Sequence, residues 1–183
     1  MKNFTVPTRD EVSTENQAIF DNFKGTLGFV PNLYAFFARN ETALADYLAL
    51  QNRRSTLRAK EREIINLVVS QVNNCEYCLA AHTTIAKMQG FTPEQIIEIR
   101  RGRISFDEKF AALARFVRET TVNRGRPSDE ALEALFAAGY TEANLIDVVI
   151  AIGDKTISNY LNSATRIPVD WEAASVLTDE AAA

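Results

Sequence analysis

Histidine and tryptophan occur once each in this chain, cysteine and methionine twice, proline five times and glycine seven times. Each scarcity excludes something. Two cysteines in 183 residues cannot form the framework of a disulfide-stapled secreted scaffold. No Pro-, Gly- or Ser-rich linker divides the chain, and no low-complexity segment appears. No apolar run approaches the ~20 residues that a membrane-spanning helix needs. The net charge of −4 and pI near 5.2 supply no excess of basic residues, which argues against nucleic-acid and anionic-membrane partners. The one basic cluster, Arg100-Arg101-Gly102-Arg103, falls where a helix ends and reads as charge set against the helix dipole. Met1 to Glu11 contains no apolar stretch of a secretory signal, so the expected location is the cytoplasm. Neither Gly-x-Gly-x-x-Gly nor a P-loop is present, and the thiol chemistry read below requires no metal, flavin or nicotinamide within this chain.

What remains is helical patterning. Thr14 to Gly28 carries Ala18, Ile19, Phe23 and Leu27 on one stripe. Gly28-Phe29-Val30-Pro31-Asn32 is a turn, followed by a short helix from Asn32 to Ala38. Asn40 is the expected N-cap of a helix to Ser55. Arg58 to Asn73 opens with charges and closes in an apolar stretch, Ile64-Ile65-Asn66-Leu67-Val68-Val69. That β-branched content suits a strand, but no partner strands are evident. Cys75 to Gln89 follows, ended by Gly90. Thr92-Pro93-Glu94-Gln95 is a capping-box start of a helix to Gly102, and Ser105-Phe106-Asp107-Glu108 repeats the device for a helix to about Asn123. Ser128 caps a helix to Ala138, and the longest helix runs from Thr141 to about Arg166. The expectation is an all-α single domain of about eight helices over residues 14–168. An N-terminal extension (1–13) precedes it, and a tail (169–183) follows that frays or docks on a neighbour.

Both cysteines and the lone histidine fall within eight residues, Cys75-Glu76-Tyr77-Cys78-Leu79-Ala80-Ala81-His82. Cys-x-x-Cys at the first turn of a helix puts two sulfurs within disulfide reach, under the partial positive charge of the helix N-terminus. His82 lies four residues after Cys78, on the same face. Glu63 precedes Cys75 by twelve positions, about 18 Å along a single helix. If the chain reverses at Asn73-Asn74, His82 returns about 10 Å along the second helix, which leaves an axial gap of about 8 Å that side chains, tilt or one water can bridge. Glu63 is then the carboxylate that orients His82. Asn66 competes for the same histidine, and Glu61 reads as helix-start charge. Asp147, Asp154 and Lys155 receive no chemical role, and Phe29, Tyr34, Phe36 and Phe37 read as core or subunit contact.

Glu63, Cys75-x-x-Cys78 and His82 together resemble the alkylhydroperoxidase (AhpD)-like group of the carboxymuconolactone decarboxylase superfamily. Gly28-Phe29-Val30-Pro31-Asn32 and Asn159-Tyr160-Leu161-Asn162 resemble its peroxidase-related branch, and the likeness extends over about residues 15–168. The resemblance implies an AhpD-like helical bundle and a homo-oligomer, a trimer or hexamer. It also implies a thiol-dependent peroxidase or disulfide oxidoreductase acting on alkyl hydroperoxides and reset by an external dithiol or protein reductant. It makes Cys78 the nucleophile, Cys75 the resolving thiol, and His82 with Glu63 the proton relay. Members of the group place a second histidine just before the second cysteine; here that residue is Tyr77. A thioredoxin-like order would instead make Cys75 the attacking thiol. Two other readings stay open: a non-catalytic redox sensor or interaction protein, and a small zinc protein built on Cys75, Cys78, His82 and Glu63.

Overall fold

The computed structural model describes residues 3–177; the first two residues of the expected extension and residues 178–183 of the expected tail lie outside the described residues. Those described form nine α-helices and no strand: α1 Thr14–Leu27, α2 Asn32–Phe37, α3 Ala43–Gln51, α4 Ala59–Val72, α5 Glu76–Met88, α6 Pro93–Arg101, α7 Glu108–Val122, α8 Asp129–Ala137 and α9 Glu142–Thr165. The count exceeds the expected eight by one.

Local sequence explains most of the boundaries. Ser13 accepts from the Asn16 N–H to start α1, and Gly28, at φ +83°, ends it in the left-handed conformation that glycine tolerates. Thr92 and Gln95 form the expected capping box on α6, with Pro93 at its first position. Ser128 caps α8, and Thr141 exchanges hydrogen bonds with Asn144 at the start of α9. Two expected starts are corrected. Asn40 does not begin α3; its Oδ1 accepts from the N–H groups of Thr42 and Ala43, so it shapes a turn and the helix opens at Ala43. Ser105 is not the cap of α7: its N–H and hydroxyl both donate to Glu98, and Asp107 takes the cap by accepting from the Phe110 N–H.

The helices fall into two compact units. Among the described residues, one comprises those up to Arg54 together with Leu161–Asp170; the other comprises Ser55–Tyr160 and those from Trp171 to residue 177. In the first unit Phe20, Ala35, Ala38 and Leu44 form the core, with Tyr34 and Phe37 packed against it. Asn16, fully buried, donates its side-chain amide to the carbonyls of Ala38, Asn40 and Glu41, carbonyls that the end of α2 leaves without helical partners. Asp170 accepts from the N–H of Asn32 at 2.7 Å and so closes the start of α2.

The second unit is organised around α4, which packs against α5, α6 and α7. Being surrounded, α4 is apolar through its middle: Ile64, Ile65, Leu67, Val68 and Val69 are fully buried. Burial on neighbouring helices thus overrides the strand preference of its β-branched residues. Truncating one of these aliphatic side chains to alanine would cost about 2–5 kcal/mol. The charged first turn of α4 is fixed by Glu61, which accepts from the Arg58 N–H at 2.7 Å and from the Tyr140 hydroxyl, the helix-start role expected of it. Of the expected tail, the described residues from Trp171 dock on their own unit, where Arg100 bridges Gln71 and the Ser175 carbonyl.

Candidate active site

Helix α4 ends in a paired hydrogen-bond stop. The Asn74 N–H bonds to the Gln71 carbonyl and the Cys75 N–H to the Ser70 carbonyl, with Asn74 at φ +51° in the left-handed region. Asparagine adopts that conformation more readily than most residues. The residue that completes this stop also begins the next helix. Cys75 is the N-cap of α5, and its sulfur accepts from the Cys78 N–H at 3.4 Å. The reversal therefore needs no separate loop, and it places the Cys-x-x-Cys pair at the dipole-positive end of α5.

The two cysteines are not joined in a disulfide, and Cys75 Sγ donates to Cys78 Sγ across 2.7 Å. Both are buried: Cys75 is 1% exposed and Cys78 3%. Their ionisation is unequal. A hydrogen bond from Cys75 lowers the pKa of Cys78; burial opposes it, and the positive charge of the Lys155–His82 pair and a hydrogen bond from Asn159 add to it, bringing Cys78 down to about 6. Cys75 moves the other way, because its hydrogen bond to Cys78, its burial and the neighbouring charge all keep its proton in place. The pair thus holds one proton on Cys75 and presents Cys78 as the thiolate.

The turn back along α5 brings Glu63 and His82 into direct contact. Glu63 Oε2 lies 2.8 Å from His82 Nδ1, so the axial gap closes without a water. Asn66 does not compete for the histidine; it donates to Glu63 Oε1 at 3.1 Å. Burial alone would raise the pKa of Glu63, but His82, Lys155 and Asn66 outweigh it and hold the carboxyl below its ordinary value. The far nitrogen of the imidazole is also engaged: His82 Nε2 is 2.7 Å from Lys155 Nζ. An ammonium group only donates, so in that state Nε2 accepts and Nδ1 carries the hydrogen that Glu63 receives.

Lys155 is the site residue that sequence reasoning set aside, and the structure corrects that. It is 3% exposed, on the inner face of α9. Ser158 and Asn159 on the same face also belong to the site. Cys78 Sγ lies 4.0 Å from Ser158 Oγ, and Asn159 donates to Ser70 Oγ at 3.2 Å and accepts from Asn73 at 3.0 Å. A signal for them existed. Val148, Lys155, Ser158 and Asn159 recur at helical spacing on one stripe, and three polar residues on a stripe that begins apolar mark a buried polar site. Asp147 has a structural place, accepting from the Ser55 and Thr56 hydroxyls. Tyr77, where the resemblance places a histidine, is 3% exposed.

Residues 34–119 match the family described as Carboxymuconolactone decarboxylase family. A curated relative, the uncharacterized protein YdfG of Bacillus subtilis (strain 168), is 30% identical over 121 residues, which cover 64% of this chain and 77% of the relative. The chain belongs to the carboxymuconolactone decarboxylase family. Solved structures agree on the fold. An uncharacterized peroxidase-related protein from Silicibacter sp. TM1040 superposes with a TM-score of 0.80 at 25% identity, covering 90% of each chain. An alkylhydroperoxidase AhpD core protein from Ralstonia eutropha JMP134 superposes with a TM-score of 0.83 at 19% identity, covering 92% of each chain. The debrominase Bmp8, crystallised with 2,3,4-tribromopyrrole, superposes with a TM-score of 0.75 at 16% identity over 92% of each chain. The all-helical, AhpD-like fold is therefore established for this chain, and the same fold serves a debrominase. Among the described residues no helix is long and apolar enough to cross a membrane, and no group of three or more His, Cys, Asp or Glu side chains is placed to hold a metal ion.

Proposed function

We propose that this protein is a thiol-dependent peroxidase that reduces hydroperoxides through Cys78 and Cys75. The observation that carries the reading is the geometry of the pair: two sulfurs 2.7 Å apart at the N-terminus of α5, beside the Lys155–His82–Glu63 chain, an arrangement that lowers the pKa of Cys78 and raises that of Cys75. The thiolate of Cys78 attacks the terminal oxygen of the hydroperoxide, forming an S–O bond as the O–O bond breaks. The departing alkoxide takes a proton from the Lys155–His82–Glu63 chain and leaves as alcohol. Cys75 then attacks the sulfenic acid; a disulfide forms and water departs. An external dithiol reduces that disulfide by exchange, becomes a disulfide itself and returns both protons and both electrons to the enzyme.

The histidine's part differs from the one expected from spacing alone. Its Nε2 is turned to Lys155, so His82 acts on Cys78 through the lysine's charge and proton. The near-complete burial of both sulfurs favours a small oxidant over a protein disulfide as the first electrophile.

Reduced, chelator-treated protein given one equivalent of an organic hydroperoxide and quenched with an alkylating agent tests this. Intact mass should show the loss of two hydrogens and no alkyl label on either cysteine. Cys75→Ser should stop at a sulfenic acid that a 1,3-diketone traps on Cys78, and Cys78→Ser should consume no peroxide. Peroxide consumption by Cys78→Ser at the wild-type rate would reject the assignment. Oxidation of the pair without turnover by any dithiol would instead favour the sensor reading.

A further inference from the structure

The basic cluster at the end of α6 takes no part in the thiol site. Arg101, the last residue of α6, and Arg103, two residues on, line a surface cavity of about 340 Å³ in the second unit. Arg115 and Arg118 of α7 line the same cavity. Arg100 does not join them; it is buried and bonded to Gln71 and the Ser175 carbonyl. Compensation of the α6 dipole accounts for Arg101 and Arg103. It does not account for Arg115 and Arg118, which stand on a second helix, ahead of its last turn.

Four guanidinium groups thus converge on one cavity in a chain whose net charge is −4. Arg115 and Arg118 stand three residues apart on one helix face, where like charges repel. Among the described residues, Glu119 supplies the one carboxylate in the lining. Both of its oxygens are engaged: Oε1 accepts from Arg115 Nε at 2.9 Å, and Oε2 accepts from the Ser128 N–H and hydroxyl at 2.9 and 2.6 Å. Glu98, on the last turns of α6, is turned to Ser105 instead. Among the described residues, the side chains of Arg101 and Arg118 make no ion pair or hydrogen bond. Four arginines against one glutamate leave the cavity with an excess of three positive charges.

Gly102 brings the two helices to this cavity. It closes α6 as its C-cap at φ +67°. A Cβ there would lie 2.6 Å from Cδ of Arg118 and 3.3 Å from its Cβ. The stem of Arg118 therefore lies against bare backbone, in a space that only glycine leaves open. Guanidinium groups from α6 and α7 are set around one concavity, and Ile104 and Ala111 supply the apolar part of its lining.

We infer that this cavity binds the diphosphate group of a small phosphorylated molecule. Every cation that lines it is an arginine. The planar guanidinium fork matches phosphate oxygens in pairs and is less strongly hydrated than an ammonium group. An anion of single charge leaves most of the excess uncompensated, whereas a diphosphate at neutral pH carries a charge of comparable size and opposite sign. Sites for small organic ligands run from about 300 to 1,000 Å³. The cavity lies at the lower end of that range, so it admits a diphosphate with part of an organic substituent resting on Ile104 and Ala111. This assignment is independent of the proposed thiol chemistry.

The test uses the whole chain in buffer free of phosphate and divalent cations. Inorganic diphosphate should bind one to one by isothermal titration calorimetry and should raise the unfolding midpoint. ADP, a diphosphate with an organic substituent, should bind at least as tightly. Citrate, of similar total charge spread over separate carboxylates, should bind more weakly. Arg101→Ala and Arg118→Ala should each weaken diphosphate binding about tenfold or more, the loss of one charge-assisted pair. Both positions are at least partly exposed, so the unfolding midpoint without ligand should not move. Arg54→Ala removes the same charge from an exposed position in the first unit and should leave the affinity within about twofold. Absence of saturable diphosphate binding at millimolar concentration overturns the assignment. So does an affinity that Arg101→Ala and Arg118→Ala leave unchanged or that Arg54→Ala lowers as much. Citrate binding as tight as that of diphosphate, or ADP binding much weaker, also overturns it.

Discussion

Helices α4 and α9 distribute their residues in opposite ways. In α4 the charged Lys60 and Arg62 face water while Ile64, Ile65, Leu67, Val68 and Val69 are buried. In α9 the buried set includes Lys155, Ser158 and Asn159, and the exposed set includes Ile146, Val149, Ile157 and Tyr160. Apart from its buried carboxylates Glu61 and Glu63, the first pattern is what one folded chain asks of a helix packed against three others. The second inverts it on both sides. A buried lysine is tolerated only where a specific partner compensates its desolvation, and here the partner is His82 at 2.7 Å. The inner face of α9 therefore carries a buried lysine that folding of the single chain does not by itself require.

Breaking the inner face at its charged residue should have the largest effect. Lys155→Met keeps much of the side-chain volume and removes the charge and the hydrogen bond to His82. Loss of a positioned proton donor lowers rates by roughly 10²-fold or more, and that is the expected fall in peroxide reduction at pH 7. The pH dependence separates chemistry from packing. Cys78 has its pKa lowered to about 6, so alkylation by iodoacetamide should rise as pH increases through that value, the thiolate being the reactive form. Lys155 helps hold the negative charge, so its removal should move the inflection upward, toward the ordinary thiol range. An unmoved inflection would mean that Lys155 only fills space.

Asn159→Ala should act more on stability than on rate. Asn159 is fully buried and joins α9 to the C-terminal end of α4 through Ser70 and Asn73. Removing its amide leaves Ser70 without that donor in the interior. Leaving such a group unsatisfied costs about 1–3 kcal/mol, which denaturant unfolding would register as a lower midpoint at unchanged slope. The rate should fall less than with Lys155→Met, since Asn159 contributes only part of the stabilisation of the Cys78 thiolate.

The legibility of these features in the sequence follows from their range. Helix starts and stops set by neighbouring residues, such as Thr92-Pro93-Glu94-Gln95 and Gly28, can be read directly because their physics spans four residues. Asn40 and Ser105 misled because a capping residue type also makes turns. The bond that decides for Ser105 comes from Glu98, seven residues away. The pairing of Glu63 with His82 was accessible because one reversal at Asn73-Asn74 fixes it geometrically. Lys155 lies 73 residues from His82, and nothing local distinguishes it from a solvated lysine. Only its place on an otherwise buried stripe does so, and that stripe becomes clear once the whole of α9 is laid out.

Ser158→Ala should have the smallest effect on the inner face, and it sharpens the contrast with Lys155 three residues earlier. The Ser158 hydroxyl donates to the Lys155 carbonyl at 2.9 Å, and its oxygen lies 4.0 Å from Cys78 Sγ, at the outer limit of a sulfur hydrogen bond. Its bond to a helix carbonyl is local and its contact with the sulfur is long. Removal should therefore cost no more than about 1 kcal/mol of thiolate stabilisation, a rate loss below about fivefold. Kinetics of peroxide reduction beside the same alkylation curve would show it. A much larger loss would mean that the hydroxyl swings from the carbonyl to the thiolate during reaction. The inner face of α9 would then act through a neutral donor as well as through the charge of Lys155.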